Sequence, residues 1–171
     1  MFGKILVGFD GSHHSHRALQ VAIEIGERFG SAITVAVVHL EGPEAADPLL
    51  QSLVPFGEDN RTLAGMLDDA HDKALARKVA SFRTVHLHGD VADALLAFLE
   101  AEHQDLVIVG SRGLTPGRRL LMGSVSSSLV NNAPCPVLVV RPPRAHRGHM
   151  ERTPGPPAHP HERGAREDAA P

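Results

Sequence analysis

Four short runs of aliphatic residues set the terms on which this chain can fold: Lys4 to Phe9, Ala32 to Leu40, Leu106 to Val109 and Pro136 to Val140. Each is nearly continuous in Val, Ile and Leu instead of alternating apolar with polar residues, which is the pattern of strands covered on both faces. Segments with helical spacing lie between them. Ala18, Ala22, Ile25 and Phe29 share one side of a helix that Ser12 or Ser15 can cap and Gly30 stops. Leu63, Leu67, Ala70 and Ala74 do the same over Arg61 to Ala80, and Ala94, Leu95, Phe98 and Leu99 over the segment after Gly89 and Asp90. A shorter strand, Arg83 to His88, precedes that segment, and Ser124 to Asn132 reads as a last helix. The order is β-α-β-α-β-α-β-α-β, which calls for an α/β fold: a parallel sheet of five strands with right-handed crossovers and helices on both faces.

Composition suits that architecture. With no Trp, no Tyr and 42% hydrophobic residues, the core must be built from Val, Leu, Ile and Ala, and 171 residues suffice for one domain of ordinary size. A formal net charge of −3 gives no nucleic-acid footprint. The single cysteine, Cys135, excludes an internal disulfide framework and a cysteine metal cluster. It stands between two prolines, where a small buried apolar role is expected rather than redox chemistry. The N-terminus enters a strand at once and offers no signal peptide, and no apolar run approaches the roughly 18 residues of a membrane span. A soluble cytoplasmic protein is expected, with no nucleic-acid or membrane partner.

Two stretches break the rhythm. Residues 41 to 60, with Pro43, Pro48 and Pro55, read as a surface excursion with a short helical piece at Leu49 to Leu53 and no start of a third strand. Residues 143 to 171 hold six of the 13 prolines, five arginines and four histidines, with almost no large apolar residue. Such a segment cannot bury enough surface to offset its ordering entropy, so a domain of residues 1 to 142 and a disordered tail are expected.

The chemistry concentrates after the strand Leu106 to Val109. Gly110 ends that run, Gly113 follows, then Gly123 with Ser124 directly behind it at the start of the last helix. Strand, glycine loop and helix start is the order in which backbone builds an anion site, because glycines allow close approach and the first N–H groups of a helix have no partner within it. Ser124 and Ser126 can add hydroxyl donors, and Arg112, Arg118 and Arg119 positive charge. The loop is neither a Walker A sequence nor a Gly-x-Gly-x-x-Gly fingerprint. Read without ligand, the same residues serve a tight turn and a helix cap, and the two arginines a solvated face.

The spacing Gly110-x2-Gly113-x9-Gly123-Ser124, with Ala133-Pro134-Cys135-Pro136 and a Val-Leu-Val-Val strand behind it, resembles the ATP-binding branch of the universal stress protein family. Lys4 to Ser12, with its Asp10 turn, and Val37 to Leu40 resemble that family's first strand and the end of its second, so the likeness runs from about residue 2 to 142. It implies a Rossmann-like fold of the adenine nucleotide alpha hydrolase kind, an open sheet of order 3-2-1-4-5 whose reversal lies between strands one and four. Ligands bind at such reversals, outside the carboxyl ends of the strands. Those ends here are Asp10 and Gly110.

Carried over by residue, the resemblance implies that Gly8, Phe9, Asp10 and the backbone at Leu40 frame the adenosine end of ATP. Val109, Gly110 and Gly113 would pass under the ribose and first phosphates with Arg112 beside them, and Gly123, Ser124, Val125 and Ser126 would hold the outer phosphates. Magnesium would bridge phosphate oxygens without an assigned protein carboxylate. In Leu114-Thr115-Pro116-Gly117, Pro116 removes one N–H donor. As a turn residue alone, Asp10 would only introduce the first helix. His39 reads as a satisfied structural histidine. His13, His14 and His16 crowd the first helix start, where they could touch a phosphate or hold a transition metal weakly, and the tail histidines are too loosely spaced for a site.

A nucleotide-dependent regulatory factor, dimerising through Val137 to Val140, is the expected function. Alternatives are a slow ATPase or autophosphorylating enzyme using Ser124 or Ser126, and a nucleotide-independent dimeric interaction module. Against catalysis, no Asp, Glu or His stands between residues 106 and 145 to act as general base.

Overall fold

The apolar runs pair side by side. In the structure, a computed structural model that describes residues 2–39, 55–56, 61–113 and 122–142, strands β1 (Lys4–Gly8), β2 (Ala32–His39), β5 (Ser81–His88), β6 (Leu106–Gly110) and β7 (Val137–Val140) form one parallel sheet in the order β5-β2-β1-β6-β7. Counted along the chain as the five strands of this sheet, that is the expected 3-2-1-4-5. Leu6 of β1 stands opposite Thr34 of β2 and Val107 of β6, so β1 lies at the centre and is paired on both sides.

Among the described residues four helices cover the sheet: α1 (His13–Phe29), α2 (Leu63–Ala76), α3 (Val91–Glu102) and α4 (Ser124–Asn132). Side chains alternate across a strand, and both faces are dry. Ile5, Val7, Ile33, Val35 and Ile108 pack with Ala18, Leu19, Ala22 and Ala70 under α1 and α2. Leu6, Ala36, Val107 and Val109 pack with Leu95, Leu99 and Leu129 under α3 and α4. That double burial is why these strands read as continuous apolar runs.

Four expectations need correction. The second helix starts at Leu63 and ends at Ala76, not Arg61 to Ala80. Arg61–Thr62 (β4), expected as helix, is extended and pairs antiparallel with Pro55–Phe56 (β3), which lies in the stretch expected to carry no strand. The Thr62 hydroxyl accepts the Gly65 N–H at 3.1 Å and so caps the helix, while Lys78, at φ 55°, turns the chain after it. Strand β5 begins at Ser81 rather than Arg83. In α1 the buried side is Ala18, Leu19, Ala22, Ile23 and Gly26, with Phe29 46% exposed. A Cβ on Gly26 would sit 2.9 Å from Ile33 Cδ1, so a stripe of small residues brings α1 close to β2, and Ile25 and Phe29 flank that stripe instead of filling it. Gly30, at φ 65°, ends the helix as expected.

The helical piece expected at 49–53 and the tail from residue 143 lie outside the described residues. Among the described residues no helix is long and apolar enough to cross a membrane.

Candidate functional site

The sheet order reverses between β1 and β6. From β1 the chain turns into α1 on one face, and from β6 it runs on to α4 on the other, so the carboxyl ends of these strands open a crevice between two helix starts.

On the β1 side, Gly8 lies close to its neighbours: a Cβ there would meet Val109 Cγ1 at 3.1 Å. The Phe9 side chain is buried in the core, 3% exposed, while its N–H donates to Ala36 O. Asp10 does serve the turn, because its Oδ1 accepts the Ser12 N–H at 3.0 Å. It also reaches across the crevice, since a Cβ on Gly113 would fall 2.7 Å from Asp10 Oδ2. Ser12 is the N-cap of α1, with its hydroxyl accepting the Ser15 N–H at 3.1 Å. The sequence had left Ser12 and Ser15 as alternatives.

On the β6 side, Val109 is buried and Gly110 presses against the first turn of α1. Ser111 is the junction. Its N–H donates to Val140 O at 2.8 Å, its carbonyl accepts the Gly123 N–H at 2.8 Å, and its Oγ lies 2.9 Å from His14 Nδ1. These bonds bring the start of α4, the start of α1 and the end of β7 together at one residue. Arg112 and Gly113 are exposed beside it. Gly123 is the N-cap of α4 and, as a glycine, makes no side-chain cap bond. The first N–H groups of that helix are therefore presented at the crevice with the positive end of its dipole.

The remaining expected residues take different places. Ser124 is exposed at the helix start, and Val125 packs against the core under α3 and α4. Ser126 is turned inward, 2% exposed, with its hydroxyl donating to Gly123 O at 3.1 Å. Leu40, Leu114 to Gly117, Arg118 and Arg119 lie outside the described residues.

His14 belongs to the site, although the sequence gave it no individual role. No Asp, Glu or His stands between residues 106 and 145, but the fold brings this imidazole to the loop from α1, 97 positions before Ser111. Burial holds the imidazole below the ordinary histidine range. Arg112 and His13 push it the same way, and the Asp10 carboxylate opposes them. His39 is structural, as expected: it is buried, and its Nε2 lies 2.8 Å from His86 Nδ1 with the rings nearly coplanar. Cys135 is half-buried against the apolar core under α3 and α4, and burial raises its thiol above the ordinary range, which disfavours the nucleophilic thiolate. Among the described residues no group of three or more His, Cys, Asp or Glu could hold a metal ion.

The model of the universal stress protein family matches residues 1–141. The chain belongs to that family. Among universal stress proteins it is 36% identical over 147 residues to one from Thermus aquaticus, across 82% of this chain and all of that protein. It is 30% identical over 149 residues to YxiE of Bacillus subtilis, with the same coverage. Its fold is similar to that of the universal stress protein UspA from Lactobacillus plantarum, with a TM-score of 0.66 at 24% identity over 82% of this chain and 98% of that one. It is also similar to a universal stress protein crystallised in complex with cAMP, with a TM-score of 0.62 at 25% identity over 81% and 97% of the two chains.

Proposed function

We propose that this universal stress protein binds ATP in the crevice between β1 and β6 and acts as a nucleotide-dependent regulatory factor. One observation carries the reading: the starts of two helices on opposite faces of the sheet are tied together at Ser111, and one of them, α4, opens on a glycine that leaves its N-terminus without a side-chain cap. That arrangement presents backbone donors and two dipole ends to an anion. Arg112 adds positive charge at the rim. The cAMP bound by a similar family member supports an adenine nucleotide as the ligand. Magnesium would bridge phosphate oxygens and take its remaining ligands from water.

The test is thermal unfolding with ATP, ADP, AMP and GTP, with and without magnesium, while phosphate release is followed. A ligand that binds only the native state adds RT ln(1 + [L]/Kd), about 2.7 kcal/mol at 100-fold saturation. An ATP-selective rise without phosphate release is the expected result. Turnover well above the buffer rate would make the protein an enzyme, and no shift with any nucleotide would sink the reading.

The same proposal has ATP change the state of a dimer formed along β7. This is an edge strand, and such edges are open to pairing with another chain. Pro136 O and Val140 O accept bonds from the β6 side. By the alternation of a parallel ladder, Val137 and Val139 then turn their backbone groups outward. Val139→Pro removes one outward donor without touching the β6 pairing. It should give a folded monomer by light scattering; a Val139→Pro protein that still dimerises rules out this edge.

A further inference from the structure

We propose that His14 couples nucleotide binding to proton uptake: held by Ser111 at Nδ1, its ring gains a proton when a phosphate anion settles in the crevice. The inference rests on the nucleotide reading above and adds to it a dependence on pH.

The geometry comes first. His14 sits in the first turn of α1, and its backbone is packed so tightly on Gly110 that a Cβ there would lie 2.7 Å from His14 C and 2.8 Å from His14 Cβ. That packing fixes where the side chain leaves the helix, beside the crevice. Its Nδ1 is engaged by Ser111 Oγ at 2.9 Å, which leaves Nε2 as the second valence. Ser111 is itself fixed by its backbone bonds to Val140 and Gly123. The imidazole is therefore anchored to the residue that carries the start of α4, where the phosphates are placed.

Three groups act on it electrostatically. Arg112 on the β6 loop and His13 on the same helix disfavour a charged ring, Asp10 in the β1–α1 turn favours it, and burial tips the balance to the neutral form. A neutral imidazole bonded to Ser111 at Nδ1 faces a phosphate with an N–H or a lone pair at Nε2 according to its tautomer; an imidazolium donates from both nitrogens and adds a positive charge that the phosphate anion attracts. A bound phosphate thus reverses the balance set in the empty crevice. By linkage, affinity is greatest below the value His14 has in the empty crevice and falls as pH rises from there to the higher bound-state value, by at most about tenfold per pH unit for one proton.

The experiment measures ATP affinity by calorimetry from pH 6 to pH 8, in buffers of different ionisation enthalpy, for the wild type and for His14→Gln. Glutamine can keep a hydrogen bond to Ser111 but cannot titrate. The ionisation of ATP itself is common to both proteins, so their difference isolates His14, and adenosine serves as the ligand without phosphate. The wild type should take up more protons per ATP bound than His14→Gln and lose affinity more steeply with rising pH, while adenosine shows no such difference. In NMR titrations of the wild type, the histidine resonance missing from His14→Gln should move to a higher midpoint when ATP is added. Equal proton uptake and equal slopes, or an unmoved midpoint with ATP bound, overturn the coupling while leaving the nucleotide site intact. If neither protein binds ATP at any pH, the nucleotide reading falls and the coupling falls with it.

Discussion

Gly123→Val is expected to lower ATP affinity by at least about 100-fold, roughly 3 kcal/mol, and to leave the fold within about 1 kcal/mol of the parent. The two halves of this expectation have separate causes. The backbone at Gly123 has φ −74° and ψ 165°, which any residue adopts. A Cβ there would meet Arg112 Cα and Ser111 O at 3.6 Å and Ser126 Oγ at 3.7 Å, ordinary contacts. Packing therefore gives no reason for glycine at this position. The proposed nucleotide site does: the valine methyls would stand where its phosphate must reach the first N–H groups of α4. Hydrogen bonds from such donors to a charged acceptor contribute about 1.5–3 kcal/mol each, so losing two accounts for the fall. Denaturant unfolding and calorimetry on the same preparation separate the effects. A folded Gly123→Val protein that binds ATP as tightly as the parent would remove α4 from the site.

The fold was readable because its central strands are buried on both faces. Ile5 to Val7, Ile33 to Val37 and Leu106 to Val109 have no solvent side to interrupt them with polar residues, so their runs stand out and their boundaries fall within a residue or two. Strand β5 is an edge, and Arg83, Thr84, His86 and His88 are exposed along it; its start was placed two residues late. The inward face of α1 includes the expected Ala18 and Ala22 but departs from the pattern toward Ile25 and Phe29 for another reason. Hydrophobic spacing favours the large Ile25 and Phe29, whereas close packing on β2 selects Ala18, Ala22 and Gly26. Size at the contact, not hydropathy, decided which side faced inward.

For the site, Asp10 does reach the glycine loop at the reversal of strand order, where its carboxylate stands against Gly113. What local pattern could not give was the partner of Ser111. His14 is 97 residues away, in a cluster of three histidines with nothing in their spacing to single one out. Only the parallel pairing of β1 with β6 brings the start of α1 against that loop. Ser126 shows the converse. A hydroxyl beside a glycine loop reads as a phosphate donor, but as the third residue of α4 it is carried inward and donates to Gly123 O.

Gly110→Ala should have the opposite profile to Gly123→Val: a loss of about 3 kcal/mol of stability, with weaker ATP binding only as a consequence. The added Cβ would lie 2.7 Å from His14 C and 2.8 Å from both His14 Cβ and Ser15 N. These are mostly backbone atoms of a helix, so no single side chain can swing aside. Instead, α1 must lift from β6, loosening Ala18 and Ala22 from the core they share with Ile108. A denaturant midpoint lowered at unchanged m-value would report that loss. The displacement would also draw His14 away from Ser111, so any residual binding should show less proton uptake than the parent. If Gly110→Ala were as stable as the parent, α1 would not approach β6 closely enough to hold His14 in the crevice. The three glycines of the spacing thus answer to different demands: Gly110 to the approach of a helix, Gly113 to the carboxylate of Asp10, and Gly123, in the proposed site, to the phosphates. Because only the last is dispensable for folding, it is the position at which binding can be removed and the protein kept.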